Sequence, residues 1–141
     1  MTTPFYSADC TTGSGVQPRT KINGVLAVSG EYTTLTKLIA ADVIHMVKVP
    51  AGCTVLDVIL DIVVMDASAA LTLSVGYTGA LTAFINASTV GQAGGIARLS
   101  VTGGTQKAFT AEDTIQVSVD TGPTDTTLGL MKLTVLYTMD P

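Results

Sequence analysis

The stretch Thr54-Val-Leu-Asp-Val-Ile-Leu-Asp-Ile-Val-Val-Met65 decides the fold class of this chain. Every even position from 56 to 64 holds an aliphatic side chain, whereas the odd positions include Asp57 and Asp61. Side chains alternate across a β-strand, so the even set is predicted to face a core and the odd set to face outward. A membrane span is not predicted, because this run is too short and too charged to cross a bilayer.

Other segments on both sides of this stretch carry the same kind of strand signal. The clearer predicted strands cover 42–49, 70–77, 114–120 and 130–139, and weaker ones cover 24–28, 32–39, 98–101 and 106–109. Short one-sided strands with turns every 8 to 12 residues are typical of an antiparallel sandwich or barrel. The predicted core residues are Val58, Leu60, Ile62, Leu73, Val75, Val117, Val119, Leu133 and Val135, with Met131, Tyr77 and Tyr137 also facing inward.

One segment, 78–88, predicts a helix instead of a strand. Leu81, Phe84 and Ile85 stand there at the i, i+3, i+4 spacing of a helix face. The residues 89–95 that follow are rich in glycine and predict a loop. Since no longer helix separates the strands, a parallel sheet is not expected.

Residues 1–21 differ in composition from the rest, because they are rich in Gly, Pro, Ser and Thr and show no strand periodicity. We interpret them as an extended arm, with 22–141 as the sandwich domain; the alternative is a frayed terminus. Phe5, Tyr6 and Val16 are the candidate partner-binding anchors of the arm. The predicted fold is therefore an all-β, antiparallel, jelly-roll-like β-sandwich with an extended N-terminal arm.

The charge content narrows the function classes. Only 13% of the 141 residues are charged, the net charge is −4, and Thr is frequent, with 23 residues. Disordered chains and most nucleic-acid binders are excluded, since the former are highly charged and the latter carry basic patches. Interface cores are depleted in charge, so the composition predicts a homo-oligomer; the alternative is a soluble Thr-rich β-protein.

No constellation for catalysis, for a metal or for a cofactor is predicted. His45 is the only imidazole and lies on a predicted strand, where it is a packing or rim residue. Asp57 and Asp61 are about 13 Å apart along one strand face, beyond the spacing of paired glycosidase carboxylates. Cys10 and Cys53 are predicted to be two unpaired thiols, because their spacing fits no zinc site.

Several phrases of the sequence together resemble small structural proteins from the head modules of tailed bacteriophages, which are described as head decoration or cement proteins. The resemblance covers about residues 40–138. The phrases that carry it lie at 42–52, 55–58, 73–77, 84–85, 92–98, 110–114 and 133–137.

This resemblance implies a non-enzymatic protein of the virion, made in the host cytoplasm, that binds the major capsid protein. It also implies self-association, most often as a trimer. Nucleic acid and membrane are not expected as partners, because the chain is acidic and its most apolar run is short and charged. The alternative is a β-sandwich module of a phage tail or fibre that recognises a host glycan. That alternative requires exposed aromatic side chains, and the chain has three Phe, four Tyr and no Trp.

Overall fold

The computed structural model describes residues 24–101, 107–124 and 128–139. This part of the chain contains nine strands and one short helix. They are β1 Leu26–Thr33, β2 Val43–Val49, β3 Cys53–Ile62, β4 Thr72–Tyr77, β5 Ala80–Ser88, α1 Val90–Ala93, β6 Gly95–Arg98, β7 Lys107–Phe109, β8 Asp113–Thr121 and β9 Leu130–Met139.

The strands form two antiparallel sheets that pack as a sandwich, as predicted. One sheet has the order β1-β9-β3-β6, with β7 pairing on the same edge of β3 as β6; the other has the order β2-β8-β4-β5. When β6 and β7 are counted as two pieces of one interrupted strand, the chain crosses between the sheets as in a jelly roll. The jelly-roll prediction is therefore confirmed by the topology.

β3 is the central strand that the opening stretch predicts, but its alternation changes phase once. Val58, Leu60 and Ile62 are buried as predicted, whereas Leu56 is only half-buried. Val55 pairs with Tyr137 and Asp57 with Leu136, so Leu56 is a bulged residue without a partner on β9. A bulge inserts one residue and reverses the face of everything before it, which turns Val55 inward.

The same strand ends earlier than predicted. It stops at Ile62, and Val64 is exposed instead of facing the core. All nine predicted core residues are nevertheless buried within one cluster, which confirms the register of the other strands. Tyr77 and Tyr137 are partly buried and pack against this cluster.

The predicted helix over 78–88 is wrong, because this segment forms β5 in a hairpin with β4. Gly79, with a φ of +86°, lies in the two-residue turn between the strands. Val75 pairs with Ile85 and Tyr77 with Ala80, so β5 uses more residues than β4 over the same length. These irregularities place Phe84 and Ile85 side by side in the core and imitate a helical spacing.

The irregular β5 lies close over β4 at Gly76. A Cβ on Gly76 would stand 2.0 Å from the carbonyl oxygen of Ala80, so only glycine fits there. Ser74, which faces outward on β4, is buried and accepts a hydrogen bond from the backbone N–H of Ala87 at 2.9 Å. Part of the outer face of this sheet is therefore covered by its own edge strand.

The weaker strand predictions are partly right but shifted in position. The segments 24–28 and 32–39, predicted as two strands, contribute to the single strand β1, which ends at Thr33. The strand prediction is wrong for 34–39, which lie in the connection that follows. The strand predicted at 98–101 is β6, which lies at Gly95–Arg98, and the loop predicted at 89–95 contains the four-residue α1. Bulges and short lengths weaken the local signal at these edges.

The sandwich has two unlike ends. At one end, here called the loop end, the connections have six to nine residues. They are 34–42, 63–71, 89–94 and 122–129. At the opposite turn end the connections have two or three residues, and β1 begins there. They are 50–52, 78–79 and 110–112.

Candidate interaction surface

Large hydrophobic side chains are exposed mainly at the loop end. Ten such side chains are exposed among the described residues, and eight of them lie at this end, where they form what we call the loop-end surface. Leu35 is the most exposed, at 80%. The eight are Tyr32, Leu35, Ile39, Val43, Val63, Val64, Leu128 and Leu130.

The loop-end surface is built from parts of the chain that lie next to each other. Thr33 pairs with Leu130 across β1 and β9. The backbone N–H of Val63 donates to the carbonyl oxygen of Leu130 at 3.2 Å, which brings the connection after β3 to the same place. Clustered exposed apolar side chains of this kind mark interaction sites, because a solitary soluble domain has no reason to keep them together.

Two of the long connections are joined by a reciprocal set of hydrogen bonds. The backbone N–H of Thr34 donates to the carbonyl oxygen of Gly129 at 2.9 Å. The backbone N–H of Gly129 donates in return to Oγ1 of Thr34 at 2.8 Å. Thr34 is only 2% exposed, so these bonds are shielded from water and hold Leu35 and Leu128 on a fixed base.

The connection 63–71 is held from within by a buried carboxylate. Asp66 is fully buried, and its Oδ2 accepts hydrogen bonds from the backbone N–H groups of Ala70 and Leu71, each at 2.8 Å. Hydrogen bonds to a buried carboxylate are stronger than those between neutral groups. This arrangement fixes the conformation of the connection that presents Val63 and Val64.

The connection 89–94 docks against the same element. The backbone N–H of Met65 donates to the carbonyl oxygen of Gly91 at 2.8 Å. The side-chain amide of Gln92 donates to the carbonyl oxygen of Leu71 at 2.9 Å. The two connections therefore support each other behind the exposed valines.

The connection 34–42 is fastened to β8. The backbone N–H of Ile39 donates to Oδ2 of Asp42 at 2.8 Å. The backbone N–H of Ala41 donates to the carbonyl oxygen of Val119 at 2.8 Å. The backbone N–H of Val119 donates in return to the carbonyl oxygen of Asp42, also at 2.8 Å. The exposed side chain of Ile39 thus lies on an ordered turn. Binding of a partner there costs little conformational entropy, because the backbone is already ordered.

The loop-end surface carries little charge. Within the described residues of its four connections the charged side chains are Lys37, Asp42 and Asp66, and Asp66 is buried. Lys37 Nζ donates to the carbonyl oxygen of Thr124 at 3.1 Å. Low charge and exposed apolar area together are typical of the centre of a protein–protein interface.

The residues weighed for catalysis are not brought together. His45 is exposed on β2, whereas Asp57 and Asp61 lie on the outer face of β3, which belongs to the other sheet. Asp57 is paired with the guanidinium of Arg98, and Asp61 lies opposite Lys132. The described residues contain no group of three potential metal ligands. Cys53 is fully buried, and Cys10 lies outside the described residues.

The aromatic side chains do not form an exposed platform for a glycan within the described residues. The ring of Tyr77 packs against those of Phe84 and Phe109, with centroid distances of 5.8 and 5.2 Å. Lys107 Nζ lies 5.2 Å from the centroid of the Tyr77 ring. Among the tyrosines that the structure describes, Tyr32 is the exposed one, at 37%, and it belongs to the loop-end surface.

The predicted anchors Phe5, Tyr6 and Val16 lie outside the described residues, as does the whole arm 1–21. The loop-end surface was not predicted. Its sequence signal is that Leu35, Ile39 and Leu128 stand between strands, in connections where polar residues are usual. No helix within the described ranges is long and apolar enough to cross a membrane.

Comparisons with known proteins complete this picture. No protein-family model and no curated protein matches the sequence. A chain from the capsid asymmetric unit of cyanophage Pam1 is 25% identical, with a TM-score of 0.77 over 96% of this chain and 97% of that one. A chain from the capsid of Ralstonia phage GP4 is 26% identical, with a TM-score of 0.71 over 88% of this chain and 89% of that one.

A third solved structure shares the fold at lower identity. A chain from the acid-stable capsid of Helicobacter pylori bacteriophage KHP30 is 16% identical, with a TM-score of 0.61 over 85% of this chain and 91% of that one. The first two likenesses extend over most of the chain and confirm the resemblance to structural proteins of the phage head, and with it the predicted location in the virion.

Proposed function

We propose that this chain is a non-enzymatic virion structural protein that decorates and cements the phage head by binding major capsid protein subunits. The loop-end surface carries this proposal, because it is a rigid, charge-poor cluster of exposed hydrophobic side chains. The similarity to chains of phage capsid structures supports a capsid as the partner of this surface.

A cement protein gains its effect by contacting more than one capsid subunit at once. Each fully buried Leu or Val side chain contributes about 1.5–3 kcal/mol, and the eight side chains of the surface lie on several separate connections and strand ends. Because the loops are already ordered, little of this free energy is lost to ordering them on binding.

The test is capsid binding by full-length protein with one apolar side chain removed. Capsids of the phage prepared without this protein are mixed with it, and bound protein is measured by sedimentation. Leu35→Ser is expected to weaken binding about 10-fold or more, because a side chain that is now 80% exposed no longer becomes buried.

Val25→Ser is the matched control, because Val25 is 58% exposed but lies at the turn end. It is expected to bind capsids like the unaltered protein. Both variants are first compared in urea unfolding, where neither should change stability by more than about 0.5 kcal/mol. Equal capsid affinity of the two variants would remove the loop-end surface from the proposal.

Self-association is part of the same proposal. We propose a homo-oligomer, with a trimer as the expected state, whose contact face is built from Thr, Ala and Val side chains. The low charged fraction of 13% supports it, since charge is depleted where surfaces are covered. Light scattering at micromolar concentration checks the state, and a monomer of 14.4 kDa would contradict it.

The arm 1–21 is proposed as a second attachment to a neighbouring subunit, anchored by Phe5, Tyr6 and Val16. An extended segment of this length reaches up to about 70 Å, so it extends beyond the sandwich. Deletion of residues 2–20 is expected to leave the far-ultraviolet circular dichroism unchanged and to weaken capsid attachment. Loss of the folded signal would instead make these residues part of the sandwich.

A further inference from the structure

The two open sides of the sandwich are not alike. On one side the edge strands β1 and β2 close against each other: a Cβ on Gly30 would stand 2.2 Å from the carbonyl oxygen of Met46. On the other side the edge strands β5 and β6 diverge and leave a groove of about 520 Å³, here called the edge groove. Its walls are Ile85–Val90 on one side and Ile96–Arg98 with Ser100 on the other.

The edge groove offers both apolar contact and backbone pairing. Ile96 is 63% exposed at its wall, and Ile85 is buried behind it. Within the described residues β6 pairs only with β3, and β5 pairs only with β4. The carbonyl oxygen of Phe84 accepts bonds from Ser100 and Val101, which closes one end of the groove.

Of the two strands that line the groove, β6 is the one open to pairing. It pairs with β3 over Ile59–Ile62 without a register shift, whereas the register shifts of β5 against β4 discourage the addition of another strand there. On the opposite side, β2 carries the exposed Lys48 and a register shift, both of which discourage pairing with another chain. On β6 the charged side chain of Arg98 is paired with Asp57 of β3. An extended peptide can therefore add to β6 by β-augmentation, with backbone bonds for affinity and Ile96 for side-chain contact.

We propose that the edge groove binds the N-terminal segment of a second copy of this chain, through residues 5–12. This stretch contains Phe5 and Tyr6 and neither Gly nor Pro, so it has a full set of backbone donors, whereas Val16 is flanked by Gly15 and lies two residues before Pro18. The inference rests on the proposed head-structural function, because it names the subunit that the arm binds.

Geometry favours a second copy over the same chain. The chain enters β1 at the turn end, and continuing that direction leads away from the groove, which extends to the loop end. To return, the segment would have to reverse and cross the outer face of its own sheet. That face carries the charged side chains of Glu31, Lys132 and Asp61 side by side on β1, β9 and β3.

The test is a cross-link between two distinguishable full-length chains, free in solution and bound to capsids. One chain has its native Cys10 and a size tag; the other carries Cys10→Ser and Ile96→Cys, and Cys53 is buried in both. A short bis-maleimide is expected to join the two chains several-fold more than in a control with Thr110→Cys, an exposed position at the turn end.

Three results overturn the proposal. The first is a yield no higher than the Thr110→Cys control. The second is concentration-independent closure within one chain that carries both Cys10 and Ile96→Cys, which would place the arm on its own groove. The third is a cross-link of Ile96→Cys to the major capsid protein in place of the tagged chain. Capsid binding, measured in the same samples, shows separately whether the proposed function holds.

Discussion

The loop end and the turn end of this sandwich are closed by different chemistry. At the turn end, two- and three-residue connections suffice. Val25 is the one large hydrophobic side chain of the described residues that is exposed there, beside polar groups such as the ion pair of Lys48 with Glu112 at 3.8 Å. At the loop end the same core supports connections of six to nine residues, and eight large hydrophobic side chains are exposed on these connections and on the adjoining strand ends.

The difference teaches that the long loops are not needed to close the strands. A jelly roll is closed by short turns, as its own turn end shows, and longer loops cost conformational entropy to order. Here that cost is offset by bonds with buried partners, above all those of Thr34 and Asp66. Ordered loops that hold apolar side chains exposed to water are typical of protein–protein interaction surfaces.

The largest expected effect comes from removing the buried carboxylate at the loop end, which tests whether buried hydrogen bonds order the long connections. Asp66→Ala leaves the N–H groups of Ala70 and Leu71 without their acceptor inside the protein. Bonds to a charged acceptor contribute about 1.5–3 kcal/mol each, so the free energy of unfolding is expected to fall by about 3 kcal/mol. Urea unfolding measures this as a lower midpoint at unchanged slope.

Asp113→Ala is the matched change at the turn end. Its Oδ1 accepts from Thr78 Oγ1 and from the backbone of Thr114, both at 2.7 Å, in an exposed or half-buried setting. Water replaces these bonds, so a loss of about 1 kcal/mol or less is expected. If Asp66→Ala and Asp113→Ala lower the free energy of unfolding by the same amount, buried polar hydrogen bonds are not what orders the connections at the loop end.

The same contrast explains which parts of the fold could be predicted from the sequence. The regular strands are predictable from the sequence, because apolar and polar positions alternate there without interruption. The apolar positions are buried as expected, as at Val58, Leu60 and Ile62 of β3 and at Leu133 and Val135 of β9. Prediction fails where the backbone is irregular. The bulge at Leu56 reverses a face, and the extra residues of β5 imitate a helix at Phe84 and Ile85.

The interaction surface escaped prediction for a different reason. Leu35, Val63 and Leu128 are far apart in the chain, and only the paired register of β1, β9 and β3 brings them together. The hydrogen bonds that hold two of these connections together are also long-range in the sequence, since Thr34 and Gly129 are 95 residues apart. The low charge content predicts that some surface is covered by a partner, but it does not indicate which surface.

A smaller effect is expected from glycines at the two ends. A Cβ on Gly129 would stand 2.4 Å from Cγ2 of Val63 and 3.1 Å from Cγ of Met65, whereas a Cβ on Gly24, next to β1 at the turn end, would meet nothing within 4 Å. Gly129→Ala is therefore expected to lower the free energy of unfolding by about 1–3 kcal/mol through overpacking. Gly24→Ala should change it by no more than about 0.5 kcal/mol, also measured in urea.

Gly129→Ala also tests whether stability and binding are coupled at the loop end. Gly129 exchanges hydrogen bonds with Thr34 and lies between Leu128 and Leu130, so a displaced Val63 moves the middle of the loop-end surface. Because the docked side chains depend on that base, capsid affinity should fall although no exposed hydrophobic side chain is removed. If Gly129→Ala destabilises the protein and leaves capsid affinity unchanged, the capsid contacts the part of the loop-end surface formed by Leu35 and Ile39 and not the part around Val63.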